Sequence, residues 1–172
     1  MVELWIAVMF TLLVIQRISE LYLAKSNRTW ALSAGAQEFG NRHYPFFFVL
    51  HIGWLVGWVI ESNADGVLLS EFWYLWLSLF VFAQGLRYWC MASLGRSWNT
   101  RILVIPNGEA ICKGPYRFLS HPNYLAVAIE LISVPLIFNA VITASLATFF
   151  NAVLILGFRI PQEKSALRLL KQ

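Results

Sequence analysis

The chain has 172 residues, of which 59% are hydrophobic and only 13% charged, and its formal net charge is +4. A soluble domain of this length has no core large enough to hide so much apolar surface, so the composition excludes an ordinary water-soluble globule. The small positive charge follows membrane topology, as set out below, and gives no reason to expect a nucleic-acid partner.

Five apolar runs occupy residues 2–23, 45–60, 72–94, 123–138 and 140–158. Each comes near the ~20 residues a spanning helix requires, although the last two are short and must thin the bilayer, tilt or share the crossing. The expected fold is therefore an all-α integral membrane protein with five transmembrane helices, a cytoplasmic catalytic loop and a C-terminal helical segment. Asn139 is expected to turn the fourth and fifth runs into a tight hairpin, and Val134-Pro135 to kink the fourth. The first run is too long, and lacks the basic start, of a cleavable signal peptide. No internal repeat or low-complexity segment divides the chain. It reads as one domain over 1–172, with a three-helix part over 1–94 and the loop, hairpin and tail over 95–172.

Basic residues set the orientation. Lys25, Arg28 and Arg42 fall in the first connection, Arg96, Arg101, Lys113 and Arg117 in the third, and Arg159, Lys164, Arg168 and Lys171 in the tail. The second connection has only Glu61, Asp65 and Glu71, and the N-terminal tip only Glu3. Positive residues stay on the cytoplasmic side, so the N-terminus is expected outside and the C-terminus inside. Five crossings satisfy both ends.

Ionisable residues inside spans face a bundle interior or a cavity. Arg17 and Glu20 are three apart, share a helix face and can pair. Arg87, one turn after Gln84, lies near the inner end of the third run, where it is expected to snorkel. Glu130 stands nine residues beyond His121, ~13 Å along a helix. It either closes a buried ion pair with an arginine or serves a substrate or a proton. His43 and His51 read as structural, His43 at a headgroup boundary. No histidine has metal-ligand spacing, and neither Cys90 nor Cys112 belongs to a metal or redox motif. No metal is expected.

Residues 108–124 read GEAICKGPYRFLSHPNY, a polar stretch between two apolar runs. Lys113, Tyr116, Arg117, His121 and Tyr124 crowd it, and a helix is expected to start at Pro122, a residue suited to a first turn. Free N–H groups at such a start make an anion site. In the tail, Arg159 and Glu163 fall on one helical stripe with Ala166, Leu167 and Leu170, while Lys164, Arg168 and Lys171 fall elsewhere. A charged pair on the apolar side of an amphipathic segment points toward protein; an interfacial anchor helix with an i,i+4 pair is the other reading.

Gly114-x-Tyr116, then His121-Pro122-x-Tyr124, a helical hairpin and Arg159-x-x-x-Glu163 together resemble the isoprenylcysteine carboxyl methyltransferase family, within the wider group that includes phospholipid methyltransferases. The resemblance covers residues 94–170. It implies S-adenosyl-L-methionine as cofactor, bound at the cytoplasmic face, with a lipid-like acceptor arriving from the bilayer. Carried over by position, the implied cofactor contacts are Gly108, Glu109, Ala110, Ile111, Tyr116, His121, Pro122, Asn123, Tyr124 and Glu163. Arg159 falls on the substrate-side arginine, and Arg159 and His121 are the candidates for catalysis, His121 either in chemistry or in positioning. Ser120 stands where the family usually has arginine, and Lys164 where it usually has a second acid. The N-terminal half is more similar to short bacterial members that O-methylate alkylpyrones or related long-chain phenolics. The expected protein is thus a methyltransferase of a bacterial cell membrane acting on a lipid-like small molecule. The competing class is a non-enzymatic transporter or assembly subunit, favoured by the intramembrane charges but not by the absence of paired inverted halves.

Overall fold

The structure, a computed structural model, describes residues 2–64, 66, 68–106, 108 and 111–169. Among them six α-helices run in the order α1 (Val2–Ser33), α2 (Tyr44–Ala64), α3 (Trp73–Leu94), α4 (Pro122–Ile137), α5 (Val141–Leu154) and α6 (Ile160–Leu169). Two strands, β1 (Gln37–Phe39) and β2 (Ile102–Val104), form one antiparallel ribbon with Glu38 opposite Leu103. The fold is α-helical and of membrane type, as expected, with that small ribbon added between connections. Three helical stretches are long and apolar enough to cross a membrane: Val2–Ser33, Tyr44–Ala64 and Val141–Arg168. The third joins α5 to α6 through a π turn, Ile155–Arg159. Helix α3 has 22 residues but carries Gln84 and Arg87, and α4 has only 16.

Helix α1 runs ten residues past its expected end, so Lys25 and Arg28 are helical rather than in a connection. That extension is tied down from the far side of the fold. Asn27 Nδ2 donates to the Trp98 carbonyl at 2.7 Å, and Asn99 Nδ2 to the Ala24 carbonyl at 2.9 Å.

The core sits where α2, α4 and α5 meet, around Trp54, Trp58, Leu131, Val134, Ile137 and Phe138. Trp58 stacks on Phe138 with centroids 5.1 Å apart. Pro135 lies inside α4 and has no N–H to give, which leaves the Leu131 carbonyl without its helical donor. Trp54 Nε1 supplies one from α2 at 3.0 Å. In an apolar interior an unpaired carbonyl costs several kcal/mol, so this contact both repairs α4 and docks α2. Asn139, at φ 64, makes the hairpin turn, a conformation asparagine tolerates better than most residues. Glu61, at the end of α2, then accepts from the N–H groups of Ile142 and Thr143, each at 2.8 Å, and caps α5. Proline at 161 would clash with the preceding turn of a regular α-helix; the π turn lies immediately before it.

Candidate functional site

Local backbone features set the site. Gly114 has φ +55, and a Cβ there would lie 2.0 Å from Ser93 Oγ. Only glycine lets the loop close onto α3 at this point. The closure seats Tyr116 against Leu86, Cys90 and Ala126. Burial first, then the neighbouring Cys90, pushes the Tyr116 hydroxyl well above its ordinary value, so it stays protonated. Helix α4 starts at Pro122, with His121 at its N-cap position, and this brings His121 and Tyr124 onto one first turn. Their rings stack with centroids 5.1 Å apart and planes 8° from parallel.

The π turn and α6 bring Arg159 and Glu163 to the same point. Arg159 Nε donates to the Tyr124 hydroxyl oxygen at 2.8 Å, and its Nη1 to the Thr100 carbonyl at 2.7 Å. The Tyr124 hydroxyl donates to Glu163 Oε1. Arg159 Nε lies 3.4 Å from that carboxylate, and His121 Nδ1 lies 3.5 Å from its other oxygen. The guanidinium also sits 5.6 Å from the ring centroids of Phe47 and Tyr124. One planar donor group is thus held by a hydroxyl, a carbonyl and two aromatic faces, with its carboxylate partner one turn away.

Beneath this cluster opens a cavity of about 550 Å³, a size typical of small-molecule sites. Its walls are apolar, with Leu21, Phe47, Phe48, Ile52, Leu55 and Val127 among them. Its far end is charged. Arg17 pairs with Glu20 at 2.8 Å and with Glu130 at 2.6 Å, while Arg87 pairs with Glu20 at 2.9 Å and also with Glu130. Glu130 therefore closes buried ion pairs, as one of its two readings held. Arg87 does not snorkel: it is 2% exposed, because two carboxylates at its own depth satisfy it.

Strand β2 lines the cavity as well. Arg101, beside β2, pairs with Glu38 and lies 4.1 Å over the Tyr44 ring. Arg28 reaches the same carboxylate at 2.7 Å. Burial alone would raise the Glu38 carboxyl, but hydrogen bonds and charge from Arg101 and Arg28 outweigh it and hold the group below its ordinary value.

Of the residues expected at the site, Tyr116, His121, Asn123, Tyr124, Arg159 and Glu163 all line the cavity. Pro122 does not; it is buried behind the first turn of α4. Gly108 and Ile111 are not among the lining residues, and Glu109 and Ala110 lie outside the described residues. In the tail, Ala166 is fully buried and Leu167 lines the cavity, whereas Lys164 and Arg168 face away. Leu170 and Lys171 fall outside the described residues. Thr100, Arg101, Phe47 and His51 were not singled out for the site. Tyr44, Phe47, Phe48 and His51 have a spacing of 0, 3, 4 and 7 that puts them on one face of α2.

The sequence pattern of the isoprenylcysteine carboxyl methyltransferase (ICMT) family matches residues 75–169. The chain is 38% identical over 160 residues to the uncharacterized protein YpbQ of Bacillus subtilis, covering 93% of this chain and 95% of that one. It is 26% identical over 165 residues to an uncharacterized protein of Haemophilus influenzae, covering 95% of each. No solved structure matches the chain.

Proposed function

Since the chain belongs to the isoprenylcysteine carboxyl methyltransferase family, a family of membrane methyltransferases, we propose that it moves a methyl group from S-adenosyl-L-methionine to an oxygen anion on a long-chain, lipid-like acceptor, an alkylpyrone or an alkylated phenol. The observation that carries this reading is the Arg159–Tyr124–Glu163–His121 cluster at one end of an apolar cavity. The reaction side faces the cytoplasm in this reading, because the basic residues gather there.

The residues present fit the cofactor. The Tyr116 ring, which lines the cavity, suits a sulfonium cation. The start of α4 suits a carboxylate, and Glu163 can accept from hydroxyl or amino groups. When bound, S-adenosylmethionine supplies an electrophilic methyl group whose S–C bond breaks, its electron pair going to sulfur, as the acceptor's O–C bond forms. Arg159 orients the acceptor oxygen through its planar donors. Tyr124, bonded to both Arg159 and Glu163, fixes the spacing between acceptor and cofactor ends. His121 holds the Glu163 carboxylate and stacks Tyr124. Most of the rate then comes from positioning two reactants at near-attack distance. A hydroxypyrone enol or a carboxylate is already ionised near neutral pH and needs no base. A phenol, which ionises near pH ~10, gives its proton to the Glu163 carboxylate beside Arg159 as the O–C bond forms. The apolar walls exclude water and accept the chain, at about 0.8 kcal/mol per buried methylene.

The test is a labelled-methyl assay with a long-chain alkylpyrone and a farnesylcysteine analogue in matched detergent. Ser120 and Lys164, which replace the arginine and acid expected of prenylcysteine enzymes, favour the alkylpyrone. Arg159→Ala is expected to depress its turnover by tenfold or more while changing cofactor affinity much less. Methylation of the farnesylcysteine analogue alone would reject the acceptor class.

A further inference from the structure

His51 lines the cavity and has no part in the Arg159–Tyr124–Glu163–His121 cluster. Its one hydrogen bond among the described residues joins Nδ1 to the Phe47 carbonyl at 2.8 Å. A carbonyl only accepts, so Nδ1 carries the proton. An imidazolium at this position would be a further charge at membrane depth. The carboxylates nearby, Glu20 and Glu130, are each already shared by Arg17 and Arg87. The ring is therefore neutral, and Nε2 is a lone-pair acceptor with no partner among the described residues, on a side chain that lines the cavity. The side chains around it on this wall of α2, Phe47, Phe48, Ile52 and Leu55, are apolar, and the Tyr44 hydroxyl, two turns away, already pairs with Thr100. A lone hydrogen-bond acceptor on such a wall is satisfied only by what occupies the cavity.

Its height is set as well. Phe47 lies under the Arg159 guanidinium, 5.6 Å from its ring centroid. His51 is four residues further along the helix, about 6 Å.

We infer that His51 is a specificity-determining residue, taking a hydrogen bond at Nε2 from a second polar group on the acceptor, so that the preferred acceptor is a ring carrying a hydroxyl or N–H donor one turn deeper than the oxygen held by Arg159. The inference rests on the methyltransferase reading and, of its two acceptors, selects an alkylated phenol with a second hydroxyl over the alkylpyrone, whose remaining oxygens only accept.

The experiment compares a long-chain 5-alkylbenzene-1,3-diol with the 3-alkylphenol of the same chain, in lipid nanodiscs with labelled S-adenosylmethionine. Wild type is expected to favour the diol by about tenfold in kcat/KM, mostly through KM, the worth of one hydrogen bond that would otherwise leave a buried group unpaired. His51→Leu should bring the two acceptors to within about twofold while leaving cofactor affinity unchanged. His51→Gln, which keeps an accepting oxygen, should restore the preference. An equal preference for the diol in wild type and His51→Leu would overturn the inference while leaving the methyltransferase reading intact. No labelled product from wild type with either ring would count against that reading, and the inference falls with it.

Discussion

Arg87 and Glu130, 43 residues apart in the chain, form a direct ion pair with Arg87 2% and Glu130 0% exposed. Because Arg87 also holds Glu20 on α1, the pair joins three helices at one depth. Two arginines and two glutamates sum to zero, which makes a charged group tolerable there.

Removing one member should be far worse than removing a matched pair. Glu130→Ala leaves two guanidinium groups with Glu20 alone and is expected to cost about 3–5 kcal/mol. Replacing Arg87 by Met and Glu130 by Leu together should recover most of that loss. Thermal unfolding in detergent, monitored by circular dichroism, checks both values. Equal loss in the single and double variants would show that the cluster does more than balance charge.

The ribbon predicts a pH effect of definite sign. Arg101 and Arg28 hold the Glu38 carboxyl below its ordinary 4.5. A group whose folded value is depressed contributes stability that is complete above its unfolded value and disappears as pH falls through the folded one. Wild type should therefore melt above Glu38→Gln at neutral pH, and the gap should close as the pH is lowered below 4.5. The arginines are partly exposed, at 42% and 31%, so the difference will be small and salt-sensitive.

Topology can be read from one native and one introduced thiol. Cys112 is exposed and lies in the connection proposed to be cytoplasmic, so a membrane-impermeant maleimide should not label it in intact cells. A cysteine at Asn63, exposed near the end of α2, should be labelled in a Cys112→Ser background. The reverse pattern would invert the orientation.

Much of this arrangement was legible in the sequence where one residue sets the outcome locally. Pro122 marks a helix start and Asn139 a tight turn, and the structure has both. The tail stripe also holds, with Ala166 buried and Lys164 exposed. What could not be read depends on register between distant segments. Hydropathy ends near residue 23 because the apolar layer ends, whereas α1 continues to Ser33 because the loop after α3 hydrogen-bonds it. The ribbon pairs two three-residue strands from separate connections, too short to leave an alternating pattern. Arg87 was given to the interface because the sequence does not say which acids lie opposite it. His51 reads as structural in the sequence and Phe47 goes unmarked, because the faces of α2 around them are apolar and no polar contrast singles out the one on the cavity.

Calorimetric titration of S-adenosylmethionine into purified protein tests the central claim most directly. Wild type should bind, and His121→Ala and Glu163→Ala should each weaken binding roughly tenfold or more, the ~1.5–3 kcal/mol of one lost charged hydrogen bond, while unfolding at nearly the wild-type temperature. No binding to wild type, or binding unchanged in both variants, would contradict a cofactor site at the His121–Tyr124–Glu163 cluster.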